Sequence, residues 1–196
     1  MLRRIAIDAR PLPMSLRLSD IRTYLVIAAF VVLSVLTPWA FHQYPAAGPT
    51  FLPMHLFIFV AALAGGWQTG AIVGLLTPLA SFAISGLPPA AILPQIAVEV
   101  TAYGLIAGLL RQKYNLNVVW SLLGAMIGGR LALLIAVFTV QAITGQVASP
   151  LGPTATPFTA VWATIAQSWP GLLVQLAVIP AGFWAAGRFL AGRRAD

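Results

Sequence analysis

Glu99 and Arg130 are the residues of this sequence most able to do chemistry inside an apolar environment. Glu99 is the only one of four acidic residues that lies away from the chain ends, and Arg130 is the one base well inside an apolar segment. A charge in hydrocarbon is costly, so each should face the protein interior and have a partner. We predict that they lie at comparable depth and interact directly or through one water. Two compatible interpretations stay open: a structural clamp, or contact with a solute.

Gln95, Glu99 and Tyr103 form a polar stripe on one predicted helix. The three residues are spaced four apart, so they share one broad helical face within an otherwise apolar segment. Such a stripe either joins helices through hydrogen bonds or contacts a ligand. Both uses require it to point into the bundle.

His55 and Trp162 are further candidates for contact with a solute. His55 lies at the start of an apolar segment, where a lone histidine is either a packing residue or a ligand contact. The only other histidine is His42 and cysteine is absent, so we predict no metal site and no cofactor. Trp162 and Trp169 are seven residues apart and share a face, either as membrane anchors or with one ring stacked on a solute.

These residues predict a binding site and no enzyme. We expect a small molecule to bind in the outer half of the bundle against His55, Gln95, Glu99, Tyr103, Arg130 and Trp162. If Glu99 neutralises Arg130, a neutral solute is favoured, whereas a separated Arg130 would favour an anion. No nucleophile elbow, His-Glu-x-x-His motif or phosphate-binding glycine loop is present.

The composition predicts an all-α integral membrane protein that positions these residues. Of 196 residues, 60% are hydrophobic and 8% charged, and the mean hydropathy is +0.92. About six transmembrane helices are expected, at residues 22–41, 51–63, 68–85, 91–110, 118–143 and 161–190. The short second segment joins the third through the glycine-rich run 65–70, as a tight hairpin that either spans the bilayer or is re-entrant.

The distribution of basic residues predicts the orientation. Arginine and lysine occur before the first segment, between the fourth and fifth, and at the C-terminus, whereas residues 42–50, 86–90 and 144–160 contain none. The positive-inside rule places both chain ends in the cytoplasm. We expect a cytoplasmic basic segment at residues 1–21, an uncleaved first helix and one domain at 22–192. The clustering of charge at one membrane face also argues against nucleic acid as a partner.

Four stretches together resemble the substrate-binding S components of energy-coupling factor (ECF) vitamin transporters. They are Phe-Leu-Pro-Met-His-Leu at 51–56, Gly-Gly-Trp-Gln-Thr-Gly at 65–70 with its continuation to 79, Ser-Gly-Leu-Pro-Pro at 85–89, and Glu-Val-Thr-Ala-Tyr-Gly at 99–104 with its continuation to 109. The resemblance covers residues 51–110 in motif detail, and the size and helix plan extend it to the whole chain.

The resemblance implies a non-enzymatic subunit of the prokaryotic cell membrane that captures a vitamin-like solute from outside. It also implies a transmembrane T component and two ABC-type ATPases as partners, and a site beneath the loops 42–50, 86–90 and 144–160. Two other functions stay open: a stand-alone secondary carrier or channel, and a membrane scaffold without a solute. A stand-alone carrier usually has inverted repeats and several intramembrane charges, and neither is clear here.

Overall fold

The computed structural model describes residues 19–41, 50–149 and 156–192, and these residues form helices and short connections without strands. There are five helices in the described ranges: α1 Ile21–Phe41, α2 Pro53–Ser85, α3 Leu93–Gln112, α4 Val118–Thr144 and α5 Pro157–Gly192. Helices α2 to α5 are long and apolar enough to cross a membrane, and α1 carries a shorter apolar stretch over Ile21–Thr37. The predicted all-α class is therefore confirmed for the described residues, four of whose helices could span a membrane.

The predicted count of six helices is not supported, because two predicted segments belong to α2. Segment 51–63, from residue 53 onward, and segment 68–85 both lie in α2, whose 33 residues form two helical stretches joined directly at a kink. A single residue, Gly66, leaves helical geometry there, with φ 87° and ψ 178°, so the glycine-rich run is a break within α2 and not a separate loop. A positive φ of this size favours glycine.

The break at Gly66 turns the second half of α2 against the first. A Cβ atom placed on Gly70 would lie 2.5 Å from the Cβ of Ala62. Residues eight apart in a straight helix are separated by ~12 Å, so the chain must bend sharply between these two. The side chain of Gln112, at the end of α3, accepts a hydrogen bond of 3.2 Å from the backbone N–H of Trp67 and so stabilises the break.

A seam of glycines joins the second half of α2 to α3. A Cβ on Gly74 would lie 2.5 Å from the carbonyl oxygen of Val100, and one on Gly104 would collide with the backbone of Gly70. Gly108 meets the backbone of Trp67 in the same way, so the two segments run antiparallel. The predicted close helix approach at these small residues is confirmed.

We expect Gly104→Ala to destabilise the protein by about 1–3 kcal/mol, because the added methyl group has no space at the α2–α3 seam. Thermal unfolding in detergent measures the effect. Gly182→Ala is the matched control, since a Cβ on Gly182 would meet nothing within 4 Å. Equal stability of the two variants would show that the seam is not tightly packed.

The main core lies where α1 to α5 meet around Tyr103, with Ile179 as the buried residue of α5, and a smaller apolar cluster joins α4 to α5. The main core includes Phe59, Val100 and Leu122, all with no exposed surface. The smaller cluster is formed by Leu133 and Val137 with Ala160 and Val161. Together they place α3 between its neighbours, with its polar stripe facing inward.

Several predicted features lie outside the described residues. These are the basic segment up to residue 18, most of the loop 42–50, and residues 150–155 of the loop 144–160. The predicted outer loop 86–90 is described in full and connects α2 to α3.

Candidate functional site

A group of buried polar side chains lies at the centre of the bundle. It contains the whole predicted stripe of α3, with Gln95 1%, Glu99 4% and Tyr103 0% exposed. His55 from α2 and Arg130 from α4 are buried as well. Five of the six residues singled out from the sequence therefore lie in the protein interior.

Glu99 is the acceptor at the centre of this group. Its Oε1 accepts a hydrogen bond of 2.7 Å from Arg130 Nη1, which is also an ion pair, and one of 2.8 Å from Tyr103 Oη. Arg130 Nη2 donates to Ser168 Oγ at 2.6 Å, and Ser168 donates to the carbonyl oxygen of Thr164 at 2.7 Å. The predicted direct pairing of Glu99 with Arg130 is confirmed, and the network links α3, α4 and α5.

Local packing fixes the position of the pair. Gly129 precedes Arg130, and a Cβ there would collide with the ring of Tyr103, so the missing side chain makes room for that ring. The ring centroid of Tyr103 lies 5.3 Å from that of His55 and 5.2 Å from that of Phe59. The three aromatic rings connect the N-terminal half of α2 to the polar stripe on α3.

Several buried polar atoms of this group have no hydrogen-bond partner among the described residues. They are His55 Nδ1 and Nε2, Gln95 Nε2, Arg130 Nε and Gln175 Oε1. Burying a polar group without a partner costs free energy, so such atoms in a native protein call for a water or a ligand. The site thus has a satisfied part, around Glu99, and a part with unused hydrogen-bonding capacity.

The N-terminal end of α2 lies at the depth of this group. From Gly66 back to Pro53 the helix covers ~20 Å, and from Gln112 back to Glu99 α3 covers the same ~20 Å, whereas all of α3 covers ~29 Å. Because Trp67 is hydrogen-bonded to Gln112, the start of α2 is level with Glu99. The N-terminal ~10 Å of α3 extends beyond that start.

The residue that precedes α2 has an unusual backbone conformation. Leu52 is left-handed, with φ 50° and ψ 49°, which is uncommon for a residue with a side chain. Its carbonyl oxygen accepts hydrogen bonds of 3.0 Å from the backbone of His55 and from Gln175 Nε2 of α5. Gln175 thereby anchors the start of α2 beside His55.

The structure does not bring Trp162 to the other predicted site residues. Its side chain is 71% exposed and that of Trp169 is 57% exposed, whereas the other five are buried. Exposed tryptophans on an apolar helix are typical of membrane anchors, which is one of the two interpretations that the sequence left open for these residues.

Sequence reasoning missed Ser168, Gln175 and Gly129. Ser168 and Gln175 are polar residues within a long apolar segment, both 1% exposed, and this was the signal that could have found them. Gly129 directly precedes the one base well inside an apolar segment. No group of three or more potential metal ligands occurs in the described part of the chain.

A comparison with protein families identifies the chain. A family model described as the substrate-specific component of ECF transporters matches residues 22–181, which is most of the sequence. The chain belongs to this family. No curated protein and no solved structure gives a significant match.

An ECF substrate-specific component is a membrane transporter subunit, and the family implies a T component and ATPase subunits as partners. The matched range contains every residue of the buried polar group. In this ECF component, the unpartnered atoms of His55, Gln95, Arg130 and Gln175 therefore all lie within the residues that the family model matches.

Proposed function

We propose that this ECF component captures a vitamin or vitamin-like small molecule from outside the cell for ATP-driven uptake. A transmembrane T component and two ABC-type ATPases would supply the energy, and the chain itself would catalyse no reaction. The observation that carries the proposal is the buried polar group with unpartnered atoms inside a chain of this family. A bundle without a solute would gain nothing from leaving such atoms unpaired.

The proposed binding residues are His55, Gln95, Glu99, Tyr103 and Arg130. His55 and Gln95 offer unpartnered atoms, and Arg130 offers its Nε. Glu99 holds Arg130 in place, and Tyr103 donates a hydrogen bond to Glu99. Trp162 was a sixth candidate, and its exposure leaves it without a part in the proposed contacts. No cofactor is needed for capture by hydrogen bonds and packing.

We further propose that both chain ends face the cytoplasm of a prokaryotic cell. The support is the basic residues near the N-terminus, between α3 and α4, and at the C-terminus. In this arrangement residues 1–21 form a cytoplasmic segment, residues 22–192 form one membrane domain, and the start of α2 opens toward the outside.

Cysteine labelling should show that Gly86 is outside and Lys113 is inside. The two residues lie beyond opposite ends of the antiparallel α2–α3 seam, and the chain has no cysteine of its own. An impermeant thiol reagent applied to intact cells should label Gly86→Cys, and label Lys113→Cys after the cells are opened. Gly48→Cys and Gly152→Cys, which lie outside the described residues, should behave like Gly86→Cys, and Arg193→Cys like Lys113→Cys. If intact cells were labelled at position 113 and not at position 86, the protein would have the opposite orientation in the membrane.

Co-purification tests the proposed function. A tagged chain should bring down a T component and ATPase subunits. Vesicles that hold the complex with its ATPase subunits on the inside should accumulate the solute only when ATP is enclosed with them. A chain that moves solute without these subunits would be a stand-alone carrier or channel. A chain that brings down other membrane proteins and retains no small molecule would be a scaffold.

A further inference from the structure

The charge of the site restricts the kind of solute that it can hold. Between Thr23 and Gly187 the sequence contains four charged residues: Glu99, Arg111, Lys113 and Arg130. Arg111 lies ~18 Å from Glu99 along α3, toward the Gly66 break, and Lys113 lies beyond the end of that helix. Glu99 and Arg130 are therefore the charges available to a solute in the described part of the site.

These two charges already neutralise each other. The ion pair is 2.7 Å long, and both terminal nitrogens of Arg130 are engaged, one by Glu99 and one by Ser168. A charged solute would either add a third, uncompensated charge beside this neutral pair or draw one partner of the pair away from the other. Either change leaves a buried charge without its counter-ion, which is strongly unfavourable.

The atoms that remain for a solute are hydrogen-bonding groups of both kinds. Gln95 Nε2 and Arg130 Nε are donors, and Gln175 Oε1 is an acceptor. A neutral imidazole at His55 adds one donor and one acceptor, and neither ring nitrogen has a partner. A matching solute must therefore present acceptors and donors together.

We infer that the solute is uncharged at neutral pH and binds through neighbouring hydrogen-bond donors and acceptors of the amide or hydroxyl type, while the Glu99–Arg130 pair stays intact. The inference rests on the proposed function and adds the chemical class of the solute to it. His55, Gln95 and the Nε atom of Arg130 supply direct contacts, and the ion pair as a whole forms a polar but neutral wall.

Matched pairs of small molecules that differ in charge provide the test. Suitable probes are nicotinamide with nicotinate, pyridoxine with 4-pyridoxate, pantothenol with pantothenate, and biotinamide with biotin. Binding to the purified protein in detergent is measured by calorimetry, and mass spectrometry identifies any molecule retained from the cells. For each pair that binds, the uncharged member should bind more tightly by at least about tenfold. This is the affinity that the charged member should lose by disturbing one satisfied buried interaction of the Glu99–Arg130 pair.

A charge variant sharpens the test. Glu99→Gln leaves Arg130 without its counter-ion and should move the preference toward the anionic member of a pair, whereas the matched variant Arg130→Gln should not. If neither variant folds, the comparison of matched pairs on the unmodified protein still decides the question.

The possible outcomes separate the inference from the proposed function. Tighter binding of an anionic or cationic member, or retention of a charged molecule from cells, would overturn the inference and leave the proposed function standing. A protein that binds no probe, retains no molecule and brings down no T component would overturn the proposed function and the inference with it.

Discussion

Glu99→Gln and Arg130→Gln should each destabilise the protein by about 3–5 kcal/mol, and the double variant should be more stable than either single variant. Each single change leaves one buried charge facing a neutral amide at the place where an ion pair of 2.7 Å now lies. The double change removes both charges, so only the hydrogen bonds to Tyr103 and Ser168 need to be re-formed.

A double-mutant cycle based on thermal unfolding in detergent measures this coupling. Lys113→Gln is the control for loss of a positive charge, because Lys113 is exposed beyond the end of α3. Its effect on stability should be within about 0.5 kcal/mol of zero. Additive effects of the two single changes would mean that the pair contributes no coupling and that each residue is stabilised by other groups.

His55→Leu and Gln95→Leu should each weaken solute binding by about 10- to 100-fold while the protein still folds. Both residues are buried and carry unpartnered atoms that we assign to the solute. Leucine keeps much of the side-chain volume but removes the polar atoms. Because both ring nitrogens of His55 lack partners, His55→Leu should leave the stability of the solute-free protein unchanged or raise it, by up to about 2 kcal/mol.

The measurement pairs calorimetry with thermal unfolding, so that binding and stability are followed on the same samples. The solute is the molecule found in the retained fraction by mass spectrometry. Gln146→Leu, at an exposed glutamine between α4 and α5, is the control and should change neither quantity. A loss of stability in His55→Leu with normal solute affinity would make His55 a packing residue and move the site elsewhere.

The sequence was sufficient for the membrane class, the glycine seam and the ion pair. The sequence has four charged residues between Thr23 and Gly187, and Glu99 and Arg130 are the two that lie well inside apolar segments. Charges at membrane depth must be buried and paired, so the pairing of these two residues could be predicted without a structure. Small residues at four-residue spacing likewise predicted close helix packing, and the structure shows Gly70 and Gly104 in contact. The spacing of Gln95, Glu99 and Tyr103 correctly indicated one inward face, because helical periodicity is a local property.

The kink in α2 and the inward face of α5 could not be predicted in this way. They depend on how segments distant in the sequence pack together, and local residue patterns do not show that packing. The sequence predicted two helices joined by a glycine-rich run, whereas the two halves of α2 are joined directly at Gly66, because the length of such a break depends on whether a neighbour such as Gln112 stabilises it. Trp162 and Ser168 belong to the same helix, yet the tryptophan is exposed and the serine binds Arg130. Only the packing angle of α5 against α4 decides which of its faces points inward.

The sequence by itself determined which groups had to be satisfied inside the membrane domain, because the cost of burying a charge or a polar atom follows from its chemistry alone. The tertiary structure decided which of them satisfy one another. It placed Glu99, Tyr103, Arg130 and Ser168 in one closed network, and it left His55 and Gln95 with unused hydrogen-bonding atoms. That division depends on distances between side chains from four helices, which are set when the helices pack and not by any segment of the chain alone.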